Sequence, residues 1–393
     1  MLQKEILIIN LGSPQYPQHE YVGAFLKEFL MDKHVLRIPY IIRYLLVNKI
    51  IVPKRVSCST ANYSKIWSKE NGSPIIYNTI EFAKRLEEQL LSKGLEMGEG
   101  AKCLESSSNV KVSGVSFAMR YGECSISNKI KELASKGVKE LLVVPMYPQC
   151  EDSTYITSMC EARKAADSFG LKVNFIPPFY NNSDYISALA NSVKNNRDAN
   201  IVSKIKNGEL DKLLISFHGI PIRCLPCGAK VASKCINPLL PTHKKCAKCK
   251  SCYKKECYTT AYLLAEALGL NSSEFEVLFQ SRLGSGEWIK PYLAKRIEEL
   301  PKGEGERKES LLDSRDKMCI AECKENISGS KIKRVAVIAP SFTADCLETL
   351  SEIDMEIREL FLDSGGEEFY YIPALNFSNF WVAKFSNLIK PNL

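Results

Sequence analysis

No run of apolar residues in this sequence is long enough to cross a bilayer, which sets aside a protein anchored by a spanning helix. The nearest approach, VLRIPYIIRYLLVNKIIV from Val35 to Val52, is interrupted by Arg37, Arg43 and Lys49. It reads either as a core helix with a solvated edge or as an apolar, basic-rimmed lip that rests on a membrane or admits a greasy anionic ligand. No glycine-rich GxGxxG fingerprint follows the first strand pattern, which counts against a nucleotide-binding enzyme. A basic-then-apolar leader is also missing: MLQKEILIIN goes straight into a strand pattern, and a cytoplasmic protein is expected. Histidine is scarce, at four in 393 residues. One of the four nevertheless stands where a buried strand pattern ends, in LLISFHGIP from Leu213 to Pro221.

Cysteine is abundant. Fifteen are present, many for a reducing compartment, where structural disulfides are rare. Seven of them, Cys224, Cys227, Cys235, Cys246, Cys249, Cys252 and Cys257, share the short segment 224–257. Its CxxCxxC run with a nearby fourth thiolate is a strong metal signal, and the pairs Cys224/Cys227 and Cys246/Cys249 fit tetrahedral zinc. Unligated thiols crowded in one loop oxidise readily, which disfavours a segment without metal. The formal charge of +8 suits nucleic acid, an anionic membrane or an acidic ligand, and by itself selects none of them.

Short β-rich runs alternate with amphipathic stretches: EILIIN, KVSGVSF, ELLVVPM, KVNFIP, KLLISF, FEVLF and RVAVIAP. Such repetition implies an α/β protein of parallel sheets covered on both faces, and the length implies two similar Rossmann-like halves with the active-site cleft between them. An internal echo supports the duplication. GVKELLVVPMYPQCEDST (137–154) resembles KIKRVAVIAPSFTADCLET (331–349), and an arginine follows a strand upstream of each, Arg120 and Arg282. The expected halves are 1–180, with the lip, and 181–393, with the cysteine-rich insertion. Two segments poor in apolar period, 92–109 and 301–330, read as surface loops, partly disordered.

His218 closes an apolar strand, Gly219 permits a close turn and Pro221 stops the strand. An imidazole so placed can accept a proton or bind metal. In ADCLETLSEIDME, Glu348, Glu352 and Glu356 recur every four residues, which on a helix lines three carboxylates along one face. A solvated structural face would carry basic partners, yet Ser351, Met355 and Leu360 stand at those intervals. The row suits a path for a hard cation or for protons. Aromatic and basic residues just after strands or beside glycine and proline suit a pocket: Tyr63 with Ile66, Arg120, Tyr121, Tyr147, Trp288 and Phe342.

These residues lie in blocks that together resemble the ferrochelatases, which insert ferrous iron into a porphyrin. The blocks are INLGSP, FLKEFLMD, YSKIW with NGSP, FAMRYGE, MYPQ, SFHGIP, FQSRLGSGEWIKPY, ADCLETLSEID and YIPALN, spread over nearly the whole chain. The resemblance implies that His218 and Glu348 are catalytic, on opposite sides of the porphyrin, one taking pyrrole protons and the other guiding iron. It implies that Glu352 and Glu356 extend the iron path, and that Leu11, Tyr63, Ile66, Arg120, Tyr121, Trp288 and Phe342 bind the macrocycle. Cys346 stands where some relatives have a second histidine. Some members resembling this chain hold a [2Fe-2S] cluster through four cysteines in an internal segment, implying Cys235, Cys246, Cys249 and Cys252 as ligands, with zinc as the alternative. The implied partners are porphyrin and Fe²⁺, without nucleic acid, for a monomer or homodimer docked peripherally on the inner membrane face. The mostly apolar lip leans toward protoporphyrin IX, with two propionates rather than four, and so toward protohaem as product. A coproporphyrin III ferrochelatase and a cobalt or nickel chelatase are the alternatives, and a porphyrin carrier or a zinc-ribbon nucleic-acid binder are rivals of another class.

Overall fold

The computed structural model describes residues 2–92, 110–228, 235, 239, 251–282, 286–303 and 331–393. The loops expected at 92–109 and 301–330, and Cys246 and Cys249, therefore fall largely or wholly outside the described residues.

Two four-stranded sheets form. The first contains β1 (Leu2–Gly12), β2 (Val110–Tyr121), β3 (Glu140–Pro145) and β4 (Lys172–Phe175), in the order β2-β1-β3-β4. The second contains β5 (Lys212–His218), β6 (Phe275–Gln280), β7 (Arg334–Ile338) and β8 (Glu368–Ile372), in the order β6-β5-β7-β8. Every pairing in both sheets is parallel. Read from its own first strand, each sheet has the same order, so the chain carries the same α/β unit twice. The echoed segments contain β3 and β7, the third strand of each set, and Arg120 and Arg282 lie at or just beyond the ends of β2 and β6.

The strands are continuous apolar runs because helices cover both faces of a parallel sheet, which leaves no side for water. Ile6 to Ile9 of β1 and Leu141 to Val144 of β3 are fully buried. One face of the first sheet packs Leu7, Ile9, Leu141 and Val143 against Ile126, Ile130 and Leu133 of the helix Ile126–Ser135, whose N-terminus Ser125 caps through the Asn128 amide. Helices α1 (His19–Met31), α2 (Tyr40–Leu46), α3 (Val52–Ile66) and α4 (Pro74–Ser92) occupy the long β1–β2 connection. A π-helical turn, Val47–Ile51, joins α2 to α3.

By packing, the chain divides into Met1–Ala188 with Ser341–Ser351 and Ala374–Leu393, and Leu189–Pro340 with Glu352–Pro373. The sequence reading had one cut at 180/181; here the chain returns twice to the first unit. The reason is apolar: Trp381 and Phe385 of the terminal helix Asn379–Ile389 are fully buried and pack on Phe82 of α4 and on Phe179. Aromatic pairs of this kind add to the area they bury, and the first unit's core is incomplete without that helix.

Candidate active site

In the first unit the sheet's carboxyl end is set by Gly12, which has φ +104° and lies so close to β2 that a Cβ there would fall 2.0 Å from the Tyr121 carbonyl oxygen. That approach brings Leu11 beside Tyr121. Leu11, Ile66 and Leu347 pack partly buried on a cluster that contains Tyr63 and Tyr121. Leu11 and Phe342 also pack on a second cluster of Ile75, Ala344 and Cys346. Five of the residues expected at the macrocycle, Leu11, Tyr63, Ile66, Tyr121 and Phe342, thus belong to two adjoining apolar clusters.

Glu348 stands at the edge of these clusters, half-buried. Its local support is a knot of hydrogen bonds. Asp345 accepts from the Ala374 amide (3.1 Å), from Asn376 Nδ2 (2.7 Å) and from Thr349 Oγ1 (3.1 Å), and the Cys346 amide donates to Thr349 Oγ1 at 2.9 Å. Burial pushes the Tyr63 hydroxyl well above its usual range, and the charge of Glu348 pushes the same way. Burial likewise raises the Cys346 thiol, and the charge of Glu348 and a hydrogen bond to it add to the effect. Both neighbours therefore stay protonated, and Glu348 is the carboxylate set against them.

Arg120 is not an open cation. Its Nη2 donates to Asp32 Oδ2 at 2.6 Å, its Nε to Thr157 Oγ1 at 2.8 Å, and its guanidinium carbon sits 4.4 Å from the Tyr121 ring centroid. Asp32 also accepts from Tyr121 Oη (2.9 Å), Thr157 Oγ1 (2.6 Å) and the His34 amide (2.7 Å). Burial alone would raise the Asp32 pKa; the bonds from Thr157, His34 and Tyr121 and the charge of Arg120 outweigh it, so the carboxyl lies below its usual range.

In the second unit His218 ends β5, pairs with Gln280 of β6 and is half-buried. The Tyr253 hydroxyl holds its carbonyl at 2.7 Å. At Gly219 the amide donates to the Gln280 carbonyl at 2.7 Å, and a Cβ would come within 2.8 Å of that oxygen and 3.4 Å of the Trp288 ring. Glycine is needed there for close approach, as the sequence suggested. Ile222 and Ile289 amides bond the Glu287 and Ile220 carbonyls, which stitches the buried Trp288 to the segment just after His218.

The carboxylate row falls on the helix Glu348–Ile357, which is π-helical. A wider turn is uncommon and concentrates at functional sites. The chain passes from the first unit to the second within this helix, between Ser351 and Glu352. Glu352 is engaged by Ser281: the Ser281 amide donates to Oε1 at 2.7 Å, and the Ser281 hydroxyl donates to Oε2. Ser281 has φ +62°, left-handed for a non-glycine residue, directly after β6. Glu356 is exposed.

Of the expected cluster ligands, Cys235 and Cys252 are described, both half-buried. The Cys235 carbonyl accepts from Lys254 Nζ, and Cys252 directly precedes the helix Tyr253–Leu268. Cys257, inside that helix, is fully buried, and its thiol is pushed well up by burial. Among the described residues no group of three or more histidine, cysteine or acidic side chains is arranged to hold a metal ion.

Three contributors escaped the sequence reading: Asp32, Thr157 and Ser281. Asp32 and Ser281 lie inside quoted blocks, FLKEFLMD and FQSRLGSGEWIKPY, and that was their signal.

Comparison with known proteins identifies the family. The ferrochelatase family model matches residues 3–308 and 319–393. A ferrochelatase of Bdellovibrio bacteriovorus is 34% identical over 395 residues, covering 99% of each chain. One from Pseudomonas aeruginosa is 33% identical over 393 residues, covering 99% of this chain and 98% of that one. Among solved structures, SirB from Bacillus subtilis with Fe³⁺ overlays at a TM-score of 0.48 with 12% identity, covering 99% of this chain and 95% of that one. With two parallel sheets of the same order, and with matches over nearly its full length, the chain belongs to the ferrochelatase family, metal chelatases of the lyase class that insert ferrous iron into porphyrin.

Proposed function

We propose that this enzyme takes protoporphyrin IX and forms protohaem, the terminal step of haem biosynthesis, in the cytoplasm. The observation that carries the choice of porphyrin is apolar exposure in α2 and the turn after it. Ile41 is 73% and Tyr40 64% exposed, with Ile42, Tyr44, Leu45 and Ile50 also open. Large apolar side chains exposed together mark an interaction site. It suits a macrocycle with two carboxylates better than one with four, and it suits peripheral docking on the inner membrane surface. Arg43, read from sequence as part of a basic rim, is instead buried and donates to the Leu36 and Ile38 carbonyls. No helix among the described residues is long and apolar enough to cross a membrane.

The chemistry removes two protons from pyrrole nitrogens as Fe²⁺ binds all four nitrogens, so a base and a cation route are both required. His218 and Glu348 divide these tasks. Glu352, held by Ser281, and Glu356 continue the route. Leu11, Tyr63, Ile66, Tyr121 and Phe342 supply the apolar wall of the first unit, and Arg120 offers its remaining N–H groups to a propionate. Trp288, fixed beside His218, packs on the ring; rigid packing favours a bent macrocycle whose nitrogen lone pairs are exposed.

The segment around Cys235, Cys246, Cys249 and Cys252 holds the [2Fe-2S] cluster in this reading. The described part supports it: Cys252 directly precedes the helix Tyr253–Leu268, and the Cys235 carbonyl accepts from Lys254 Nζ in that helix's first turn, which brings the two cysteines toward one helix end. Such a cluster supplies a reversible one-electron couple and cross-links the segment. The anaerobically purified protein should show thiolate-to-iron absorption with iron and sulfide in equal amounts, lost in Cys252→Ala and kept in Cys257→Ala. Zinc in place of iron, or equal loss in both variants, would count against this assignment.

Anaerobic Fe²⁺ insertion into protoporphyrin IX and coproporphyrin III, side by side, tests the substrate. A higher kcat/KM for protoporphyrin is expected; preference for coproporphyrin would overturn the choice.

A further inference from the structure

We infer that Asp32 is a positioning residue for porphyrin binding, acting through Arg120; this rests on the reading of Arg120 as a porphyrin contact. A guanidinium carries five N–H donors in a rigid planar fork, so fixing two nitrogens fixes where the others point. Asp32 takes Nη2, and Thr157, itself bonded to Asp32, takes Nε. The same carboxylate takes the Tyr121 hydroxyl, whose ring lies under the guanidinium carbon. Arginine and ring are thereby held as one plate, with the Asp32 side chain only 6% exposed and that of Arg120 15% exposed. Without the carboxylate, a long side chain recovers rotamer freedom, and a ligand must then order it at its own expense.

Asp32 also sits at the root of the apolar lip. It terminates α1, its amide bonding the Phe29 carbonyl at 3.3 Å. Its own carbonyl accepts from the amides of Val35 (3.2 Å) and Leu36 (3.0 Å). Buried Arg43 then holds the Leu36 and Ile38 carbonyls at 3.0 and 3.2 Å, and Arg37 pairs with Asp152. Asp32 therefore joins the end of β2 and the start of the helix Thr157–Ser168 through its side chain, and the segment leading into α2 through the His34 amide and its own backbone. Nothing in the chemistry of metal insertion needs a carboxylate so tightly satisfied; as an anchor for an arginine and a tyrosine its burial makes sense.

The test is a double-mutant cycle on the full chain, reading protoporphyrin IX affinity by fluorescence quenching, and kcat and KM for porphyrin and Fe²⁺. Asp32→Asn, nearly isosteric, should weaken porphyrin Kd and raise porphyrin KM about 5- to 10-fold, with kcat and the KM for Fe²⁺ within about twofold. In an Arg120→Ala background the same change should add less than about twofold, because residues acting as one unit are not additive. Thr157→Val, which removes the bridging hydroxyl and leaves the charge, should give a smaller effect of the same pattern and serves where Asp32→Asn does not fold. Equal losses in both backgrounds, or wild-type affinity in folded Asp32→Asn or Thr157→Val, would overturn the inference alone. A wild-type protein that binds no porphyrin would overturn the underlying reading with it.

Discussion

The two sheets share one strand order, yet their corresponding edges carry different side chains. At the end of β2, Arg120 is drawn into a buried cluster with Asp32, Tyr121 and Thr157. Beyond β6, Arg282 is exposed, over the Tyr292 ring at 5.3 Å, and its neighbour Ser281 takes the structural part by holding Glu352. The first unit has turned its edge into apolar wall and paired charge. The second has turned its edge into a histidine, a strained serine and a carboxylate. A repeated fold fixes where chain ends gather, and the side chains placed there decide whether the edge binds or reacts.

If His218 in the second unit carries chemistry and the Asp32–Arg120 cluster in the first carries binding, variants at these two places should separate into rate and affinity classes. The largest effect is expected at His218. His218→Ala should lower kcat about 100- to 10,000-fold, the range for loss of a positioned base, while porphyrin Kd by fluorescence changes little. A Kd that collapses along with kcat would erase the division.

Ser281 sharpens the same comparison with a smaller effect. Ser281→Gly removes the hydroxyl bond to Glu352 while relieving the left-handed backbone, so metalation should fall with a smaller loss of thermal stability than in Ser281→Ala. Hydrogen bonds to charged groups are worth about 1.5–3 kcal/mol, which caps the loss at roughly 150-fold. Ser281→Ala keeps the strain and loses the bond, so it should match that activity with a lower melting temperature. Unchanged activity in Ser281→Gly would detach Glu352 from the iron route.

The smallest effect lies in the first unit's acid response. Because folding lowers the Asp32 pKa, the unfolded chain binds that proton first as pH falls. Its contribution to stability is complete above the usual aspartate range and is lost as pH drops through the lower folded value. Melting temperature below about pH 5 should therefore fall less steeply in Asp32→Asn than in wild type. Equal slopes would mean that the cluster does not stabilise the first unit through its charge.

Much of this organisation was legible beforehand. The echo 137–154 against 331–349 marked the third strand of each sheet, because a strand buried on both faces must be written as a continuous apolar run. Gly219 was readable because only glycine tolerates such an approach to the neighbouring strand. The π-helical form of Glu348–Ile357 was not, since an every-fourth-residue acidic row fits an α-helix as well. Nor was the burial of Arg43, which depends on carbonyls supplied by the preceding turn.

What the sequence determined by itself was local: strand runs, a histidine at a strand's end, a carboxylate row, a concentration of cysteine and the ordered motifs of a family. What only the tertiary structure decided was partnership. Asp32 meets Arg120 across 88 residues, Ser281 meets Glu352 across 71, and the last helix completes a core begun at the first strand. Pattern and propensity act over one or two turns of chain, whereas a buried charge finds its partner only when separate segments are brought together and water is excluded from between them.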